Sequence, residues 1–261
     1  MSHYQKTVLI TGGAQRIGKA LVNHFHGLGW RIIIHYHTSS DAADQLTQRL
    51  NSERQDSANA FSADLGSTDD IKALANAVTD LGWQLDLVIH NAAQFSPTPL
   101  STTTESSWEH LIGTNLKAPF FLTQALLNVL STGANLIFLC DIFGDRPLPN
   151  YSVYSATKAG LAMMTRSLAL DLAPAHRVNG IALGAILPPS IAASAEPYVP
   201  QDAPQSSAAL EESALVDSIL ARAPLATIGS PVHIAEVAEF LASSDYITGQ
   251  IIPVDGGRRV G

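Results

Sequence analysis

The sequence predicts an α/β fold in which one doubly wound parallel sheet carries helices on both faces. Short apolar runs rich in β-branched residues alternate along the chain with helical patterns of ten or more residues. This alternation is typical of parallel strands joined by right-handed crossovers. Apolar residues make up 46% of the 261 residues and charged residues only 15%, which suits a sheet buried on both faces.

The opening of the chain shows the repeating unit clearly. TVLIT at 7–11 predicts a strand that ends in a glycine turn, and a helical pattern follows from Arg16 to about Leu28. RIIIHYH at 31–37 and the helical DAADQLTQRLNSE repeat this unit. The remaining elements are predicted strands at ANAFSADL, LDLVIHNA, ANLIFLC and VNGIAL, a last helix at VHIAEVAEFLAS and a last strand at GQIIPVDGG.

One segment, from about residue 186 to 220, interrupts the alternation. It is rich in Ala, Ser and Pro and follows the carboxyl end of a predicted strand, the side on which ligands bind in such sheets. We expect a lid over the site; a tolerated surface insertion is the alternative. No linker or repeat divides the chain, so residues 1–261 are expected to form a single domain.

Charge and cysteine content restrict the class of protein. The net charge of −8, with no run of Lys or Arg, argues against a nucleic-acid partner. A single cysteine, Cys140, excludes an internal disulfide and a zinc framework, so no metal site is expected, and it fits a reducing compartment. No signal peptide and no apolar stretch of membrane-spanning length is present. We therefore expect a cytoplasmic protein without a membrane partner.

A glycine-rich turn, TGGAQRIG at 11–18, joins the first strand to the first helix. Gly12 and Gly18 allow the backbone to approach a pyrophosphate, and the amides at Arg16 and Ile17 open the helix, where the dipole favours an anion. This placement predicts a dinucleotide-binding domain.

The end of the second strand predicts which dinucleotide is preferred. An acidic residue there binds a ribose 2′-hydroxyl and repels a 2′-phosphate, but no acid occurs before Asp41. The residues present instead are His35, Tyr36, His37, Thr38 and Ser39. Together with the guanidinium of Arg16 they favour NADPH. The alternative is that His35 and His37 are strand-end residues without a ligand.

Asp64 and Leu65 end the third strand and could bind the adenine, Asp64 by accepting from its amino group and Leu65 through its backbone amide. Either could equally be a turn residue.

Tyr154 and Lys158 are the predicted catalytic pair, because their spacing places them one turn apart on a helix face. We expect the ammonium to lower the phenol pKa, so that Tyr154 acts as general acid. The glycine turn, Asn91 in HNAA, Asn115 in GTNLKAPF and the C-terminal VDGG accompany this pair.

With TGGAQRIG, HNAA, YSATK, RVNGIA and ITGQIIPVDGG in order, the chain resembles the short-chain dehydrogenase/reductase family over essentially its whole length. The resemblance implies one Rossmann-like domain and a homotetramer. It implies that Tyr154 donates a proton, that Lys158 holds the nicotinamide ribose and that Asn115 positions a proton-relay water. It also places Asn91 and Ala92 in the cofactor cleft.

One position departs from the family pattern, because Asp141 stands where a serine usually binds the substrate carbonyl. Aspartate there, Arg16 in the glycine motif and HYHTS resemble the pteridine reductase branch. In that branch a phenylalanine matched by Phe95 stacks the pterin ring against the nicotinamide. Asp141 could alternatively cap a turn, and Phe95 could pack its loop.

The sequence therefore predicts an NADPH-dependent reductase of a pterin or folate, with Asp141, Tyr154, Lys158 and Asn115 as catalytic residues and Phe95 as a substrate contact. The first alternative is a carbonyl reductase acting on a 3-oxoacyl thioester or another ketone. The second is an NADPH-binding sensor without catalytic activity.

Overall fold

The computed structural model describes residues 5–186 and 220–260, so the predicted lid lies outside the described residues except at its two ends. Within these ranges seven strands form one parallel sheet. They are β1 (Thr7–Ile10), β2 (Arg31–Tyr36), β3 (Ala58–Ser62), β4 (Leu85–His90), β5 (Leu130–Asp141), β6 (Arg177–Leu183) and β7 (Ile251–Val254). Their order in the sheet is β3-β2-β1-β4-β5-β6-β7, which confirms the predicted doubly wound α/β fold.

Helices cover both faces of this sheet. They are α1 (Arg16–Gly27), α2 (Ser40–Glu53), α3 (Thr68–Asp80), α4 (Glu105–Ile112), α5 (Ala118–Leu126), α6 (Ser152–Asp171) and α7 (Pro231–Ser243). A π-helical turn at Gly113–Lys117 connects α4 to α5, and a 3₁₀ turn at Ile142–Gly144 follows β5. None of the described helices is both long and apolar enough to span a bilayer.

The alternation of side chains along each strand divides the core into two layers. In β1, Leu9 packs with α3, α5 and α6, whereas Val8 and Ile10 pack with α1, α2 and α7. All three side chains are fully buried. Successive strand residues point to opposite faces, so a strand that is apolar at every position requires cover on both sides.

The first four strands begin at the predicted residues but end one to three residues before the predicted ends, and β5 is longer than ANLIFLC. It begins at Leu130, which pairs with Leu85, and its register with β4 shifts between Leu85 and Leu87. Gly133, at φ 78, accommodates this irregularity. The polar residues Ser131 and Gly133 hid this part of the strand from a pattern based on apolar runs.

The motif RVNGIA fastens the last helix and strand to the sheet. Arg177 donates hydrogen bonds to the carbonyls of Leu241 (3.0 Å) and Ile247 (3.1 Å) at the end of α7. The fully buried Asn179 donates to Ile247 O (2.9 Å) and accepts from the amide of Gln250 (3.1 Å). These bonds satisfy backbone groups that the turn before β7 leaves unpaired.

Replacing Asn179 with leucine should lower the free energy of unfolding by about 2–4 kcal/mol, because it leaves buried polar groups without partners. Gln250→Ala, which removes an exposed side chain, serves as control and should cost about 0.5 kcal/mol or less. Urea unfolding followed by circular dichroism measures both. Equal losses would contradict this role of Asn179.

Candidate functional site

The carboxyl ends of the strands border a cavity of about 500 Å³. Its centre lies between β1 and β4, where the strand order changes direction, as expected for a ligand site in an open α/β sheet. The cavity is lined by all the cofactor residues predicted from the sequence: Gly12, Arg16, Ile17, Gly18, His35, Tyr36, His37, Thr38, Ser39, Asp64, Leu65, Asn91, Ala92 and Lys158. Phe95 and Tyr154 line it as well.

The glycine turn after β1 has the geometry of a pyrophosphate cradle. Gly12 has a φ of +62°, and a Cβ on Gly18 would lie 2.0 Å from the carbonyl oxygen of Gly12. Gln15, which precedes α1, provides no side-chain cap, so the first amides of α1 keep their capacity to donate to an anion. The residues present therefore fit the phosphates of a dinucleotide.

Asn91 holds this turn from the β4 side. Its side-chain amide donates to Thr11 O (2.7 Å) and Gly12 O (3.1 Å), while its own backbone amide donates to the Thr11 hydroxyl (2.9 Å). The Thr11 hydroxyl also accepts from the amide of Ala92 (3.0 Å). The turn is thus cross-linked to the loop after β4.

His35 holds the same turn from the β2 side. Its Nδ1 accepts from the amide of Gly12 (3.2 Å), so Nε2 carries the proton and donates to Ala63 O (3.1 Å). Burial lowers the pKa of His35 to about 4. The ring is therefore neutral at physiological pH, and it positions the backbone.

The end of the cavity beside β2 and β3 contains hydrogen-bond donors and one acid. Arg16 and His37 are exposed there beside Thr38 and Ser39. Asp41 lies in the first turn of α2, outside the lining. Asp64 lines the cavity and also forms a turn by accepting from the amide of Gly66 (2.8 Å); the two roles proposed for it are therefore compatible.

The residues predicted to carry out the reaction lie on β5 and α6. Tyr154 donates from its phenol to Asp141 Oδ2 (2.7 Å), and Asp141 Oδ1 accepts from the amide of Phe143 (2.9 Å). One carboxylate oxygen thus caps the 3₁₀ turn while the other contacts Tyr154. Asp141 is partly exposed and is not among the residues that line the described cavity.

The protonation of Tyr154 differs from the sequence prediction. Burial and the neighbouring Asp141 carboxylate raise its pKa well above the usual value, whereas the ammonium was expected to lower it. The Nζ of Lys158 lies 5.7 Å from the centre of the Tyr154 ring and donates to Leu139 O (2.8 Å). Desolvation and an adjacent carboxylate both oppose the phenolate, so Tyr154 holds its proton.

The partly buried Asp141 and the buried Lys158 each favour the charged form of the other. Burial raises the pKa of Asp141, opposed by the Phe143 amide and by Lys158. Burial lowers the pKa of Lys158, opposed by Asp141 and Cys140. The fully enclosed ammonium is thus stabilised by the carboxylate that Tyr154 contacts.

Asn115 lies in the π-helical turn and is buried. Its side-chain Oδ1 accepts from the amide of Gln94 (2.7 Å), and its Nδ2 donates to Gln94 O (2.9 Å) and to the hydroxyl of Thr157 (3.3 Å). The side chain therefore fixes the loop after β4 against α6. The cavity is lined by its neighbours Gln94 and Thr114 instead of by Asn115 itself.

Phe95 forms an aromatic platform with a residue that the sequence analysis missed. Its ring is 57% exposed, stacks on Tyr151 with centroids 4.5 Å apart and meets Tyr154 edge-on at 4.8 Å. The two contacts fix the position of the ring, and more than half of it stays open to solvent. Tyr151 stands three residues before Tyr154, immediately before α6, and this proximity in sequence was the available signal.

Other lining residues were also missed, namely Ala14, Gln15, Ala93, Gln94, His110, Thr114, Leu139 and Leu183. Several of them neighbour predicted site residues in sequence. His110 ends α4, and only the packing of α4 beside the loop after β4 brings it to the cavity.

Comparisons with known proteins agree with this architecture. The sequence model of the family described as enoyl-(acyl carrier protein) reductase matches residues 12–259. A probable tetrahydroxynaphthalene reductase of Zymoseptoria tritici is 30% identical over 256 residues, covering 96% of this chain and 93% of its own length. A 3-oxoacyl-[acyl-carrier-protein] reductase of Staphylococcus aureus is 30% identical over 257 residues, covering 97% of each.

A solved structure is also similar. FolM alternative dihydrofolate reductase 1 from Brucella canis, complexed with NADP, superposes with a TM-score of 0.83 at 26% identity. The match covers 98% of this chain and 95% of the other.

The buried ring of His35 should make folding sensitive to acid. Its pKa is about 4 when folded and about 6.5 when unfolded, so the unfolded state binds more protons between these values and stability falls as pH drops through this window. From pH 7 to 5 this histidine should account for a loss of about 2 kcal/mol.

Urea unfolding of wild type and His35→Leu at both pH values measures this difference. The variant should be less stable at pH 7 and should lose about 2 kcal/mol less on acidification. His110→Leu, at an exposed position, is the control. An unchanged pH dependence in His35→Leu would refute the assignment.

Proposed function

The chain belongs to the short-chain dehydrogenase/reductase family and is an oxidoreductase, and we propose that it is an NADPH-dependent pteridine reductase acting on dihydropterin, biopterin or dihydrofolate-type substrates. The observation that carries this proposal is the hydrogen bond from Tyr154 to Asp141 at 2.7 Å. It places a carboxylate beside the proton donor.

The cofactor is NADP(H), the dinucleotide present in the FolM neighbour. When bound, it supplies the hydride. The uncapped start of α1 suits its pyrophosphate, and Arg16, His37, Thr38 and Ser39 suit its 2′-phosphate. Lys158, which lines the cavity, would hold the nicotinamide ribose.

A carboxylate at this position favours a nitrogen heterocycle over a ketone. Ionised Asp141 only accepts hydrogen bonds, and a pterin presents an amino group and ring N–H groups that donate. A ketone oxygen presents only an acceptor, which a carboxylate repels. The chemistry of Asp141 thus supports a pterin or folate as substrate.

Proton delivery would fall to Tyr154 assisted by Asp141. The raised pKa of Tyr154, caused by burial and by Asp141, keeps a proton on its phenol oxygen at neutral pH. Asp141, whose pKa burial also raises, is suited to exchange a proton with it. In this scheme Tyr154 protonates the ring nitrogen next to the reduced carbon, and Asn115 orders the Gln94 segment that links the site to solvent protons.

The aromatic platform would select for flat rings. Phe95, supported from behind by Tyr151, exposes a face on which a bicyclic ring can stack. A linear 3-oxoacyl chain has no ring to place there.

A ketone reductase is the second candidate, because two of the similar proteins are a tetrahydroxynaphthalene reductase and a 3-oxoacyl-[acyl-carrier-protein] reductase. In that case Asp141 would serve only as the cap of the 3₁₀ turn.

The resemblance to the family and the single buried thiol support three further parts of the proposal. The 261 residues would act as one catalytic domain, the chain would assemble as a homotetramer and it would work in the cytoplasm.

Asp141 should be required for pterin turnover. Steady-state NADPH oxidation with dihydrobiopterin, dihydrofolate and a panel of ketones should show activity toward the pterin or folate, and Asp141→Ser should lower kcat/KM for it by about 100-fold or more. Asp141→Asn removes the negative charge and keeps the shape of the side chain, so it shows which of the two the reaction requires. Turnover of ketones alone, retained in Asp141→Ser, would instead establish the ketone reductase.

Phe95→Ala should raise KM for a pterin by about fivefold to tenfold, since an aromatic stack contributes about 1 kcal/mol. Phe95→Tyr should retain most of the affinity. Tyr246→Ala is a matched control, because this aromatic ring is 99% exposed and lies before β7, at the opposite edge of the sheet. An equal KM for wild type and Phe95→Ala would exclude stacking on Phe95.

A further inference from the structure

The segment at residues 255–259, here called the C-terminal strap, folds back over the connection between β5 and α6. The Asp255 carboxylate accepts from the amides of Gly257 (2.9 Å) and Arg259 (2.6 Å). Gly184, at the end of β6, is in close contact with Asp255, since a Cβ there would lie 2.5 Å from its Cα. The strap therefore has a defined path.

Two arginines fasten the strap to that connection. The Arg146 guanidinium donates to the carbonyl of Arg258, and Arg259 forms an ion pair with Asp145 (2.8 Å). The side chain of Arg258 is thereby directed over the 3₁₀ turn, with its guanidinium carbon 5.5 Å from the centre of the Phe143 ring. The amide of this same Phe143 donates to Asp141 Oδ1.

The charges around Asp141 come from three directions among the described residues. Lys158 and Tyr154 face it from α6, Cys140 neighbours it on β5, and Arg258 faces it from the strap. Lys158 is enclosed and bonded to Leu139 O. Arg258 is only half-buried, so of these two cations it is the one that solvent reaches.

Arg258 itself has neighbours of both signs. Arg222 and Arg146 repel its charge, while Asp141 and Asp255 stabilise it. Of the two carboxylates, Asp141 stabilises the charge of Arg258 more strongly than Asp255 does.

We propose that Arg258 is a positioning residue, which holds Asp141 as a carboxylate turned toward Tyr154 before substrate binds. Its part in catalysis rests on the proposed function, whereas its effect on the Asp141 carboxyl does not. Burial favours the neutral acid at Asp141; the positive charge of Arg258 opposes this and keeps the acceptor charged.

A carboxyl titration of the protein without cofactor tests this directly. ¹³C-carboxyl-labelled aspartate gives one resonance per side chain, and Asp141→Asn identifies the one that belongs to Asp141. Removal of a nearby cation favours the neutral acid, so Arg258→Met should raise the Asp141 midpoint by about 0.5–1 pH unit. Arg258→Lys should restore most of the wild-type value.

Lys72→Met is the control, because it removes an exposed cation of α3 whose partner is Asp69 and which has no part in the strap, so it should leave the Asp141 midpoint unchanged. Salt provides a test without substitution. Titrating the wild-type protein in 1 M NaCl should also raise the Asp141 midpoint, because salt screens the charge of the half-buried guanidinium. A midpoint unmoved in Arg258→Met and Arg258→Gln, or unmoved by salt if these variants do not fold, overturns the proposal.

The pH profile of kcat/KM connects the titration to the reaction. The limb that disappears in Asp141→Asn should move upward in Arg258→Met by the same amount as the carboxyl midpoint. A midpoint shift without turnover of any pterin would refute the proposed function and leave the role of Arg258 intact. Pterin turnover with an unchanged carboxyl midpoint would support the proposed function and refute the role of Arg258.

Discussion

The parallel pairing of all seven strands is the constraint on which the site depends. Because every strand runs in the same direction, the residues that follow β1, β2, β3, β4 and β5 meet at one edge of the sheet. That edge brings together positions as distant in sequence as Gly12 and Asp141. The reversal of strand order between β1 and β4 opens the space between their loops, and the cavity lies there.

Buried polar side chains then convert this edge into a fixed surface. Asn91 and His35 hold the glycine turn from opposite sides, through bonds to the backbone of Thr11 and Gly12. Asn115 holds the loop after β4 in the same manner. His35 and Asn115 are buried and Asn91 is partly buried, so the loss of a hydrogen-bond partner at these positions is costly. The site is rigid because its loops are cross-linked side chain to backbone.

The predicted catalytic residues depend on a balance of charge in a buried environment. Tyr154, Asp141 and Lys158 lie together under little solvent, and burial alone would make each of them neutral. The carboxylate and the ammonium stabilise each other, and the phenol keeps its proton by donating to the carboxylate. This arrangement places a charged acceptor next to a proton donor, whereas a serine hydroxyl in place of Asp141 would be a neutral group that both donates and accepts.

The fold class, the glycine turn and the Tyr154–Lys158 pair were determined by the sequence itself, because apolar periodicity and local spacing are properties of short segments. The features that depend on long-range contacts, namely side-chain partners and protonation, were decided only by the tertiary structure. It assigned His35 to the backbone of Gly12, placed Tyr151 behind Phe95 and left Tyr154 with a raised pKa. Burial and contacts between distant segments fix protonation and side-chain partners, and neither is visible in a linear pattern.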